Sequence, residues 1–267
     1  MAMRKIGKMV TSVGSAGSLT LMLLAFAGGR STASESSSDR TPVLVELFTS
    51  EGCSDCPPAD ALLQKLDQQP LAGADIIVLS EHVDYWNHLG WSDPYSAHLY
   101  SERQNAYSRH FGLATVYTPQ MIVDGSAEFV GSNAPKAQTA VAAAARSAKQ
   151  PVRLSAVALE GNQVRLNVEA SALTGAVRGA DVYVALAQNR AYSRVTAGEN
   201  AGRNLTHVAV VRSLVRVGTV AGTQTFTKAV TVKLPEPSDS KDLRIVAFVQ
   251  EAGTGRVLGA VERRVGE

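Results

Sequence analysis

The sequence predicts an α/β domain built on a mixed sheet over residues 41–150, followed by an all-β, sandwich-like domain over residues 151–267. Three observations carry this. Apolar runs of strand length alternate with helical patterns in the first part. Asp124-Gly125 sits between two short apolar segments, a strong hairpin signal. After Pro151, short alternating segments separated by turn residues continue with no convincing helix.

The elements follow in order. Thr41 to Phe48 is nearly continuous in apolar residues, as a strand covered on both faces requires. Pro57 and Pro58 suit the first turn of a helix, and Ala61, Leu62, Leu63 and Leu66 continue it at helical spacing. Ile76 to Leu79 is a second buried strand, parallel to the first because a helix joins them. Asp93 and Pro94 read as N-cap and first residue of a long helix carrying Tyr95, Leu99, Ala106 and Tyr107 on one side and ended by Gly112. Gln120–Val123 and Ala127–Val130 form the antiparallel hairpin, and Ser132 or Asn133 caps an Ala-rich helix running to about Lys149. The later strands are expected at Val152–Leu159, Val164–Glu169, Asp181–Ala187, His207–Val217, Gln224–Leu234, Leu243–Gln250 and Val257–Val261.

The N-terminus reads as an export signal over residues 1–27. Arg4, Lys5 and Lys8 precede an uncharged stretch from Met9 to Phe26, and Ala25-Phe26-Ala27 fits a cleavage site. Residues 28–40 read as a Ser-rich flexible linker. Cleavage changes the formal charge from 26 − 24 = +2 to 23 − 24 = −1. A nearly neutral mature chain gives no electrostatic ground for nucleic acid or membrane-surface partners. Export to the periplasm or beyond places the cysteines in an oxidising compartment.

Cys53 and Cys56 are the two cysteines of the chain, delivered by the first strand to the start of the first helix. A loop this short removes little chain entropy, so the pair points to thiol-disulfide chemistry rather than stapling. Cys53, read as the outer residue, forms the mixed disulfide and Cys56 resolves it. Asp55 disfavours a neighbouring thiolate, and no cation lies nearby in sequence. Glu46 interrupts the first strand and reads either as a desolvated proton relay for the inner thiol or as an outward-facing residue. Thr118-Pro119, at the start of the third strand, suits a cis bond whose backbone pairs with an incoming peptide. His82 and Asp84 fall at the end of the second strand, on the rim expected to hold Cys53. His82 then exchanges protons beside the thiols, or joins Cys53 and Cys56 as ligands of copper or zinc, or simply braces its loop with Asp84. Trp86 reads as an apolar rim for a protein substrate or as core. The Gly198–His207 loop reads as a structured turn, or as a contact of Arg203 and His207 with a partner or the first domain; His88, His98, His110 and His207 carry no assigned chemical role.

The strand, Cys53-x-x-Cys56, helix unit, with Thr118-Pro119 and the β-β-α ending, resembles the thioredoxin superfamily over residues 41–150. Glu46 matches its buried acid only with one extra residue before the cysteines. Ser54-Asp55 and Gly52 depart from the superfamily's usual residues. The segment Phe48 to Asp60, together with His82-Val83-Asp84-Tyr85-Trp86, Tyr117-Thr118-Pro119-Gln120 and the Gly198–His207 loop, resembles an uncharacterised family of secreted bacterial thioredoxin-like proteins. That resemblance implies a fold and a compartment more than an activity. The expectation is an exported thiol-disulfide oxidoreductase with a redox-active Cys53–Cys56 disulfide, no other cofactor, and thiol- or disulfide-containing envelope proteins and a redox partner as its partners. A metal-delivery module using Cys53, Cys56 and His82, or a non-catalytic binding module, is the alternative.

Overall fold

The computed structural model describes residues 40–265 apart from 70, 72, 176, 178, 235–241 and 254. The export signal and nearly all of the linker read from the sequence lie outside the described residues. The chain runs β1 (Thr41–Thr49), α1 (Pro57–Gln68), β2 (Ala74–His82), α2 (His98–Phe111), β3 (Gln120–Val123), β4 (Ala127–Val130) and α3 (Ala134–Ala144). It continues through β5 (Val152–Glu160), β6 (Gln163–Ala170), β7 (Gly179–Arg194), β8 (Asn204–Ala221), β9 (Phe226–Lys233), β10 (Leu243–Glu251) and β11 (Val257–Arg264).

An eight-stranded mixed sheet has the order β11-β10-β7-β8-β2-β1-β3-β4, and a three-stranded antiparallel sheet has the order β5-β6-β9. β1 and β2 are parallel, while β3 is antiparallel to β1 and pairs with β4 through the Asp124-Gly125 turn. Asp124 and Gly125 have φ of 49° and 61°, the left-handed pair that a tight hairpin turn demands. The later strands do form two facing layers, but not as a separate unit. β7, β8, β10 and β11 extend the mixed sheet, and β8 meets β2 in parallel at Ser80↔Val210. Residues 41–150 and 151–267 therefore share one sheet.

Alternation along the strands explains the layers. Val182, Val184 and Leu186 of β7 and Ile245, Ala247 and Val249 of β10 pack against Leu154, Val164, Leu166 and Val232 of the small sheet. Their neighbours Ala185, Ala187, Val246 and Phe248 face the other way, with Leu44, Leu79 and Tyr100. In β1, Val43, Val45 and Leu47 pack on Ala59, Leu63 and Leu66 of α1 and on Ala137 and Val141 of α3. Each such Val or Leu contributes about 1.5–3 kcal/mol by leaving water.

Two helices differ from expectation. α2 opens at His98 rather than at Pro94, with Ala97 before it and no side-chain cap. Asp93 is already committed: its carboxylate accepts from the Tyr95, Glu51 and His82 N–H groups. Tyr95 precedes the helix, Leu99 is exposed, and the buried stripe is Tyr100, Ser101, Gln104, Tyr107 and Ser108. The polar members are satisfied there, Ser101 by Asp84 and Gln104 by Tyr117 and Gln120. α3 is capped by Asn133, as expected, but ends at Ala144 rather than near Lys149, whose ammonium pairs with Asp124.

Candidate functional site: a buried disulfide beside a histidine–carboxylate cluster

β1 ends at Thr49, and the next seven residues carry Cys53 and Cys56 to the first turn of α1. The two cysteines are joined as a disulfide. Cys56 stands just before α1, and its carbonyl accepts from the Ala59 and Asp60 N–H groups. Cys53 is not an outer residue: it is 1% exposed and Cys56 is 0% exposed, while Ser54 and Asp55 between them are exposed.

The cover over the disulfide comes from the β7–β8 loop. Asn200 donates through Nδ2 to the carbonyls of Glu51 (2.8 Å) and Cys53 (2.9 Å). The Ser54 N–H donates to the Glu199 carboxylate at 3.0 Å, and the Ser54 side chain and then this N–H lower the pKa of that exposed acid. Close backbone approaches complete the cover. A Cβ added to Gly52 would lie 3.0 Å from the Trp86 Cβ, and one added to Gly198 would lie 3.1 Å from the Trp91 Cβ.

Thr118-Pro119 is a cis bond. Trp86 donates its indole N–H to the Thr118 hydroxyl at 2.8 Å, tying that turn to the loop that covers Gly52. Gly131 is wedged where a Cβ would lie 2.7 Å from Leu47, 3.2 Å from Ala59 and 3.2 Å from Pro119. Pro119 is thus beside the first turn of α1, three residues beyond Cys56.

Glu46 and His82 are placed differently. Glu46 is buried on the face of β1 opposite α1, because its neighbours Val45 and Leu47 face α1. Its carboxylate accepts from Arg103 Nε at 2.6 Å and from the Tyr107 hydroxyl at 2.5 Å. Glu81 is 3.5 Å from the same Arg103 nitrogen. Burial, and then the charge of Glu46, push Glu81 well above the usual carboxylate range. His82 is fully buried and pairs through Nδ1 with Asp93 at 2.7 Å, not with Asp84. Asp84 instead binds Ser101 and His98 of α2. Burial would raise the Asp93 pKa, but the charge and hydrogen bond of His82 and backbone N–H groups hold it below the usual range. Among the described residues, no group of three or more His, Cys, Asp or Glu is arranged to hold a metal ion.

A second histidine completes the site. His207 of β8 is 2% exposed, with Nε2 3.2 Å from Glu51 and Nδ1 3.7 Å from Asp60. The first is a hydrogen bond; the second is too long for one, and Nδ1 has no hydrogen-bond partner. Asp60 also accepts from the Thr49 hydroxyl at 3.0 Å, and Glu51 from the Trp91 indole at 2.8 Å. The rings of His82 and His207 meet edge to face at 4.7 Å. Burial pulls the His207 pKa down, but the nearby charge of Asp60 and the hydrogen bond and charge of Glu51 outweigh it and raise it to about 10. The imidazole is therefore a buried cation at neutral pH. Asp60 was findable from the sequence, as a lone acid four residues after Cys56 on the buried Ala59–Leu63–Leu66 stripe. Glu51, Asn200 and His207 were not, because they meet only once β8 joins β2.

A cavity of about 480 Å³ lies elsewhere, between α2 and strands β7, β8 and β10, lined by Leu99, Tyr107, Tyr183 and Leu214. It contains neither cysteine.

Fold and site together define a mixed-sheet α/β protein with a second antiparallel sheet and a buried disulfide at a strand-to-helix junction. The chain belongs to the DUF1223 family, described as proteins of unknown function, which matches residues 44–250 and so spans both parts of the large sheet. It is similar to a solved structural-genomics protein from Agrobacterium tumefaciens: 30% identity, 85% of this chain and 96% of that one covered, TM-score 0.66. It is also similar in fold to HBP35 of Porphyromonas gingivalis, with 15% identity over 85% of this chain and 76% of that one, TM-score 0.63. No curated protein matches the chain. Among the described residues, no helix is long and apolar enough to cross a membrane.

Proposed function

We propose that the protein is an exported, thioredoxin-like thiol-disulfide oxidoreductase working through Cys53 and Cys56. The observation that carries this reading is a disulfide at the strand-to-helix junction with Thr118-Pro119 beside the first helical turn. A thiolate of an envelope protein attacks the Cys53 Sγ, the disulfide breaks, and the electron pair leaves on Cys56. A second substrate thiolate then attacks the mixed disulfide and expels Cys53, so that the substrate leaves oxidised; in the reducing direction Cys53 attacks a substrate disulfide, and Cys56 closes on the mixed disulfide and releases the substrate thiol. Thr118-Pro119 offers backbone groups to the substrate strand, and Trp86 positions that turn through its bond to Thr118. Because both cysteines are buried, attack requires the Glu199–Asn200 contacts to let go. A Cys56→Ser chain in envelope extracts should accumulate mixed disulfides that disappear when Cys53 is also replaced. An absence of such adducts removes the reading.

The same burial favours a second reading, in which the disulfide is a fixed brace within a non-catalytic binding module. That reading predicts that a chain with Ser at both positions keeps its full biological effect, and that the native disulfide resists dithiothreitol until the protein unfolds.

A further inference from the structure

We propose that Asp60, backed by His207 and Glu51, is the proton donor and acceptor for Cys56 during disulfide exchange. The inference rests on the oxidoreductase reading and assigns to this cluster the task that the sequence suggested for Glu46.

When the disulfide breaks, the electron pair settles on the sulfur of Cys56, a residue that is 0% exposed. A desolvated thiolate is costly, and water does not reach it to supply a proton. Glu46 does not serve, because it faces away from α1 and is held by Arg103 and Tyr107. Asp60 does: it follows Cys56 by four residues, so the two side chains share a helix face, and its N–H is bonded to the Cys56 carbonyl at 3.1 Å.

The His207 imidazole supplies the proton. Its Nε2 is occupied by Glu51, and its Nδ1, buried and unpartnered, is 3.7 Å from the Asp60 carboxylate. That is the geometry of a proton held one short movement from transfer. The groups facing His207 come from every element around it: Glu51 before α1, Asp60 on α1, His82 on β2 with its partner Asp93, and Tyr95, over which Arg212 stacks. The protonated imidazole is stable there through the neutral range.

The step balances as follows. A dithiol thiolate bonds to the Cys53 Sγ as the disulfide breaks. The Cys56 Sγ takes the electron pair and then a proton from Asp60, which is replenished from His207 Nδ1. The second thiol of the dithiol gives up its proton and attacks the first sulfur, breaking its bond to Cys53; the Cys53 Sγ takes the electron pair and that proton, and His207 regains its proton from solvent, so Cys53 and Cys56 end reduced and the dithiol oxidised. In the opposite direction the carboxylate takes the Cys56 proton as it attacks. Asp60, one helical turn beyond Cys56, is the group assigned to the reacting thiol; His207 and Glu51 act through it and are positioning residues.

The test follows reduction of the native disulfide in the full chain by dithiothreitol, read by alkylation and mass, with each rate divided by the reagent's thiolate fraction. His207→Gln and Asp60→Asn should each slow reduction about 100-fold at neutral pH, the low end of what a positioned acid contributes. The wild-type rate should fall as pH passes about 10, where His207 loses its proton, and the variants should show no such fall. A merely structural His207 predicts the opposite sign, since loosening the site exposes the disulfide and speeds reduction. Unchanged or faster reduction in a folded variant overturns the proposal. Should neither variant fold, a wild-type profile that stays flat through that pH overturns it. If the wild-type disulfide is inert to dithiothreitol and Cys56→Ser traps nothing, the oxidoreductase reading itself has failed. If the wild type reacts and traps while the variants keep its rate, the relay alone has failed.

Discussion

His207→Gln should abolish a decline of stability with pH in a specific window. In the folded protein the imidazole sits between two buried carboxylates, with a pKa of about 10 against an ordinary value of 6.5. Each tenfold change in proton affinity corresponds to about 1.4 kcal/mol, so the imidazolium contributes at most about 5 kcal/mol. The sign follows from which state binds the proton more tightly. Below pH 6.5 both states hold it, and the whole contribution is present. Between 6.5 and about 10 the unfolded chain releases it while the folded chain retains it, so the contribution declines as pH rises. Above that it is gone. The variant lacks this decline, and at low pH it also leaves Glu51 and Asp60 buried without a cation, a defect of about 3–5 kcal/mol. Urea unfolding of both proteins across that range, followed by the fluorescence of Trp86 and Trp91, gives the stability gap at each pH. Trp91 is hydrogen-bonded to Glu51, so one probe reports from the cluster itself. The gap should shrink steadily toward high pH. A gap that stays constant, or widens, refutes a buried imidazolium at this position.

Asn200→Ala removes both hydrogen bonds that pin the Glu51 and Cys53 carbonyls. Loosening the cover by about 1–2 kcal/mol should speed dithiothreitol reduction about 5–30-fold, opposite in sign to His207→Gln in the same assay. Arg103→Met strands Glu46 and Glu81 together in the core and should cost about 3–5 kcal/mol at neutral pH, part of it recovered in mild acid as a carboxyl protonates; equilibrium urea curves measure this. Gly125→Ala forces a Cβ to 1.9 Å from the Gly255 carbonyl oxygen at a φ of 61°, and should lose more than about 3 kcal/mol in thermal melts.

What the sequence made legible was local. The parallel β1–β2 pair, the Asp124-Gly125 turn and the Asn133 cap follow from spacing and turn chemistry that act within a few residues. The side chain of Glu46 was not legible, because one residue of register decides which face of a strand looks at α1. Nor was the role of Asp93, whose capping signal is valid chemistry redirected to a histidine eleven residues away. The larger miss was the sheet. Alternation in β7, β8 and β10 says that two faces are buried but not against what, and two separate domains satisfy it as well as one shared sheet. With β8 assigned elsewhere, His207 and Asn200 had no reason to stand near Cys53.

The meeting of β2 with β8 has a practical corollary for anyone wishing to isolate the cysteine-bearing segment. A fragment ending near residue 150 would leave β2 with an open edge where β8 belongs, an invitation to intermolecular strand addition. It would also shed Glu199, Asn200 and His207, leaving the sulfurs uncovered and two carboxylates uncompensated. The disulfide site of this protein is thus not a portable cassette: its cysteine-bearing half and its covering half are separate stretches of chain that become one site only through the long sheet.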